Sequence, residues 1–138
     1  MPKTRKHFQR LSQLRANEAT VLAKGGKEQG AYYLAGFAIE CALKACIAKK
    51  TRKHDFPDNK YAAKVYTHDL SELLKLAELD KPLDRDVKTN LRLAAYWGVV
   101  KVWNVDSRYE TARLNGKDMV AAVTSPTDGV LQWIKQYW

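Results

Sequence analysis

Cysteine is scarce in this 138-residue chain, which holds only Cys41 and Cys46. Five residues apart in one predicted helix, they point about 140° away from each other, which disfavours a disulfide or a shared metal. No Cys-x-x-Cys pair, glycine-rich phosphate loop or His/Asp cluster of metal-ligand spacing occurs, so neither a metal nor a cofactor is expected. The three histidines, His7, His54 and His68, are scattered, and the adjoining His54 and Asp55 have no further ligands nearby. Uninterrupted apolar runs, such as the one that ends in Gly98-Val99-Val100, fall far short of a bilayer span, so no membrane span is expected. No apolar segment follows the basic N-terminus, so no secretory signal is expected either. Two small buried thiols suit a reducing compartment, and the expected location is the cytoplasm. Repeats, low-complexity tracts and strand-like alternation are also missing.

Apolar residues, by contrast, are plentiful. They make up 46% of the chain and include four Trp and seven Tyr, enough for a substantial core. The length suits one domain spanning residues 1–138. The net charge of +9 is one-sided. Residues 1–53 hold twelve Lys/Arg against three acids, Glu18, Glu28 and Glu40, whereas residues 54–138 hold twelve of each sign. A basic surface of this kind attracts polyanions through counterion release, or an acidic protein through simple charge.

The periodicity predicts an all-α, antiparallel up-and-down bundle of four to five helices. Residues 1–7 read as a basic arm. Helix 1 follows from Phe8 to about Lys24, with Phe8, Leu11, Leu14, Ala19, Leu22 and Ala23 at helical spacing. Gly25-Gly26 ends it. Residues 28–50 form the strongest helix, with Ala at 31, 35, 38, 42, 45 and 48 and with Gly36 implying a close approach. Residues 54–66 read as a loop. Thr67-His68-Asp69-Leu70 opens a third helix to about Leu79, and Pro82 separates it from a fourth, from about Asp84 to Trp103. There the stripe Val87, Leu91, Ala94, Gly98 and Val102 is expected to be the packed face. A last helical region, roughly 117–137, is interrupted at Ser125-Pro126-Thr127-Asp128.

The phrase Ala31-Tyr32-Tyr33-Leu34-Ala35-Gly36-Phe37-Ala38-Ile39-Glu40-Cys41-Ala42-Leu43-Lys44-Ala45, followed by Thr67-His68-Asp69-Leu70 and Leu73-Leu74, resembles the HEPN domains. That family is named for nucleotide binding in higher eukaryotes and prokaryotes, and the resemblance covers residues 8–137. It implies a helical bundle that forms a homodimer. It also implies association with RNA or a nucleotide, and pairing with a minimal nucleotidyltransferase protein in a toxin–antitoxin or defence system. Many members are metal-independent ribonucleases that use an Arg followed four to six residues later by a His. Here Arg108 can match that Arg, but no His follows it in the chain. The resemblance therefore implies a member that binds without cutting.

The candidate binding residues are Arg108 and Tyr109, as a phosphate-binding guanidinium beside a stacking ring, and the basic run Lys49, Lys50, Arg52 and Lys53. Each has a plainer reading: Arg108 paired with Asp106 or Glu110, and the run as a solvated helix end. Weak catalytic candidates are Arg108 and His68, which would make the chain a divergent ribonuclease if the fold brought them together. A third alternative is a protein-interaction module that docks an acidic partner. Glu40 and Lys44, one turn apart, are expected to pair. Tyr32, Tyr33, Tyr61, Tyr66, Tyr96 and Trp97 are expected to be core rather than a stacking platform.

Overall fold

In the computed structural model, which describes residues 4–51 and 65–138, two long helices form the spine. The first, α1 (Arg5–Lys24), begins earlier than expected: Thr4 accepts a hydrogen bond from the His7 N–H at 3.1 Å and caps it. Arg5 to His7 are thus the first helical turn rather than part of the basic arm expected over residues 1–7. Gly26 takes a left-handed φ of 75°, which glycine adopts without strain, and turns the chain into α2 (Glu28–Lys50). Leu22 lies against Gly30, while the Ser12 hydroxyl donates to the Ala38 carbonyl at 2.6 Å. Those pairings make α1 and α2 an antiparallel hairpin.

α2 is the centre of the molecule. Ala31, Ala35, Ala38, Ala42 and Ala45 are fully buried along it. Small side chains let α1 and α6 (Gly116–Thr124), which also touch each other, pack closely against it. By length and composition alone α2 could cross a bilayer, but two-thirds of its apolar window is buried inside this fold. Neither cysteine is in a disulfide, and burial pushes the Cys46 thiol up to about 11, which keeps it unreactive.

The remaining helices are shorter. Asp69 caps α3 (Leu70–Leu76), accepting from the Glu72 N–H at 3.1 Å. The chain then turns at Glu78, whose φ of 59° ends the helix before Leu79. α4 (Asp80–Val87) contains Pro82 in its first turn, where a missing N–H leaves no bond unmade. The fourth helix expected over Asp84–Trp103 is therefore two. Asn90 breaks it, accepting from the Leu93 N–H at 3.0 Å to cap α5 (Leu91–Val100) and donating to Asp128 at 3.0 Å. The expected packed stripe is also corrected. Leu93 and Val100 face the core, while Leu91 and Val102 are 76% and 67% exposed and Gly98 is open.

A 3-10 turn (Val105–Tyr109) leads to α6, and α7 (Val130–Ile134) follows the expected interruption at Pro126. The Trp133 indole N–H donates to Asp86 at 2.9 Å and ties α7 to α4. The fold is an all-helical bundle, with no strand among the described residues. The loop expected over residues 54–66 falls largely outside them, as do His54, Asp55, Tyr61, Arg52 and Lys53.

Candidate functional site

Tyr33, Gly36, Glu40 and Lys44 follow one another on α2 at helical spacing, so they share a face roughly 80° wide. Tyr33 and Gly36 both meet Trp103, while Glu40 meets His68 and is supported by Lys44. Together they define a seam along α2, with rings packed at one end and an ion pair in the middle.

At one end is Trp103, 4% exposed, which lies flat on α2 because position 36 has no side chain. A Cβ on Gly36 would overlap the indole at Cδ1, Nε1 and Cγ. Here the close approach expected of Gly36 is to a ring rather than to another helix. Tyr33 stacks on the same indole, with centroids 5.9 Å apart and 27° between planes. The buried Trp103 Nε1 has no hydrogen-bond partner among the described residues.

Anchored by Trp103, the following turn is shaped by Asn104, whose side chain accepts from the Asp106 N–H at 2.7 Å. That turn presents Arg108 and Tyr109 to solvent. The Arg108 guanidinium sits over the Tyr109 ring, 4.9 Å from its centroid. Tyr109 and then Tyr33 raise its pKa above arginine's ordinary value. Among the described residues Arg108 pairs with no carboxylate, neither Asp106 nor Glu110. Beyond the turn, Gln29 holds the chain against the start of α2. Its amide donates to the Glu110 and Ala112 carbonyls at 3.0 and 2.6 Å, and accepts from the Leu114 N–H at 2.6 Å.

In the middle of the seam lies Glu40, 3% exposed. Lys44 donates to its Oε2 at 3.1 Å, as the one-turn spacing predicts, and His68 Nδ1 lies 2.9 Å from its Oε1. A buried carboxylate without partners would be costly; with both it becomes the tie between α2 and the start of α3. The link to His68 is not legible in the sequence, since nothing in the spacing joins residues 28 positions apart. His68 is half exposed and lines a recess of about 300 Å³ with Thr67, Asp69, Trp103, Asn104, Val105 and Asp106. The two weak catalytic candidates thus belong to neighbouring parts of one face, but each has its own contacts: His68 with Glu40, Arg108 with the tyrosines.

The basic run is elsewhere. Lys49 and Lys50 close α2 roughly 25 Å along the axis from Tyr33, at 1.5 Å per residue. Lys50 is engaged by Glu78 at 2.5 Å, whereas Lys49 is exposed without an ion pair among the described residues. Of the aromatic residues expected in the core, Tyr32, Tyr33, Tyr96 and Trp97 pack against it, but Tyr66 is largely exposed. Among the described residues no cluster of His, Cys, Asp or Glu could hold a metal ion. No family model, curated protein or solved structure matches this chain.

Proposed function

We propose that this chain is a non-catalytic domain that binds RNA or a nucleotide, with Arg108 as its phosphate contact. The observation that carries the reading is an exposed guanidinium, braced over Tyr109, that no carboxylate neutralises among the described residues. A planar fork of N–H donors suits phosphate oxygens, and the adjacent phenol ring suits stacking on an unpaired base. The neighbouring recess fits a base better than a phosphate, because Asp69 and Asp106 offer acceptors there and repel anions. The +9 charge of residues 1–53 supplies long-range attraction. The HEPN resemblance supports the same ligand class. Within that reading the chain forms a homodimer and is paired with a minimal nucleotidyltransferase in a toxin–antitoxin or defence system. Gly36 and the alanine face cannot serve the dimer, being buried within the protomer. Light scattering would show a mass near twice 15.7 kDa for a dimer.

A second reading, a metal-independent ribonuclease using Arg108 with His68, draws on one observation. With its proton on Nδ1 facing Glu40, His68 keeps Nε2 free to accept another. Incubation of the pure protein with a mixed RNA pool in chelator separates the two. The binding reading predicts retained, intact RNA. Cleavage lost in both Arg108→Ala and His68→Ala would establish the enzyme instead.

A further inference from the structure

The helix α5 carries two apolar faces, and the described residues cover only one of them. Leu93 and Val100 point into the core. On the opposite side Leu91, Ala95, Gly98 and Val99, continued by Val102 in the turn after the helix, are all exposed and, at 100° per residue, fall within a stripe about 100° wide. Gly98 stands at the edge of this stripe on the side of Lys101, and a Cβ there would meet nothing within 4 Å, so a partner backbone can approach closely along that edge. A stripe of this form, i, i+4, i+7, i+8, i+11, is what an amphipathic helix presents to another helix.

Charge identifies the occupant. Arg92 borders the stripe on one side and Lys101 on the other, and no acid occurs between Asp86 and Asp106. Arg92 reaches only Asp128, at 3.9 Å, and Lys101 has no ion pair among the described residues. Two copies packed through this face would set Arg92 and Lys101 against their like, which is unfavourable. Nor does the other exposed apolar pair on a helix complement it: Leu14 and Val21 of α1 are separated by Glu18, which pairs with Arg15, so they form no continuous apolar stripe. We infer that the outer face of α5 docks an amphipathic helix of a different protein, one whose apolar stripe is bordered on both sides by acidic residues. This goes beyond the RNA or nucleotide reading and uses none of its residues, so either can fail alone.

The test measures fluorescence anisotropy of the full chain with a designed amphipathic peptide, a leucine stripe flanked by Glu, and with its twin flanked by Lys. The expected result is saturable binding of the Glu peptide, weakened by salt, and at least tenfold weaker binding of the Lys twin. Leu91→Glu with Val102→Glu should lose at least tenfold, while Arg108→Ala should bind the peptide like the parent. Arg92→Glu with Lys101→Glu should invert the preference between peptides. Because all four positions are exposed, circular dichroism should be unchanged in these variants. Equal binding of the two peptides, or binding of neither, overturns the inference. So does a solution dimer that Leu91→Glu with Val102→Glu converts to monomer, since a second copy would then be the occupant.

Discussion

Trp103 lies on Gly36 so closely that its indole occupies the space of a side chain on α2. The ring is 4% exposed and stacked by Tyr33, so it cannot swing away cheaply. Gly36→Ala should therefore lower stability despite alanine's better helix propensity, by about 1–3 kcal/mol as overpacking does. Urea unfolding measures it. Combining Gly36→Ala with Trp103→Leu should cost less than the sum of the two changes, because the clash is removed. Additive costs would show that the two residues do not confront each other.

Glu40 should be the costliest polar residue to alter. Glu40→Gln leaves the Lys44 ammonium, largely buried, without its counter-charge. Breaking one partner from a buried pair costs roughly 3–5 kcal/mol, and some access of Lys44 to water favours the lower end. Glu40→Leu with Lys44→Met should recover much of that loss, since no charge then stays unpaired. Equilibrium denaturation of the three proteins decides it; a Glu40→Gln variant as stable as the parent would contradict the geometry.

Acid should weaken the tie between α4 and α7. The Arg85 guanidinium, followed by the Trp133 indole N–H, holds the Asp86 carboxyl below its ordinary 3.8. A depressed carboxylate contributes stability above its unfolded value and loses it as pH falls through the folded one. The gap in urea midpoint between the parent and Asp86→Asn should thus stay constant from neutrality to about pH 5 and close below about pH 4. A gap constant down to about pH 2 would mean that the charge of Asp86 contributes nothing.

Gln29 should keep the chain after Tyr109 in place through three hydrogen bonds to residues 110–114. Gln29→Ala should speed hydrogen exchange at the Leu114 amide severalfold while leaving the α2 interior amides unchanged. Unaltered exchange at Leu114 would show the contact to be incidental.

Much of the scaffold is legible in the sequence. Gly25-Gly26 and Ser125-Pro126 mark breaks because Gly26 takes a left-handed φ and the residue before a proline is driven out of the helical region, and the alanine spacing of residues 31–45 marks the central helix. The Glu40–Lys44 pair follows from one-turn spacing. What sequence does not supply is the tertiary half of each relation. Apolar residues at helical spacing do not say whether this chain covers them, so Leu91 and Val102 read as core although Leu93 and Val100 hold that place. Asn90 and Pro82 carry two readings each, cap or interior and breaker or first turn, and packing decides between them. The juxtapositions of Tyr33 with Trp103 and of Glu40 with His68 join distant segments, and no local pattern announces them.

The central claim is that Arg108 is a focal phosphate contact set apart from a diffuse basic surface. Filter binding of single-stranded RNA across a salt series tests it most directly, using the parent, Arg108→Ala and the combined neutralisation of Lys49, Lys50, Arg52 and Lys53. Arg108→Ala should weaken binding roughly tenfold to a hundredfold at every salt concentration while keeping most of the salt slope. The combined variant should flatten the slope, by about 0.7 for each phosphate contact removed from a single strand. The account is contradicted if Arg108→Ala binds RNA like the parent with its helicity intact.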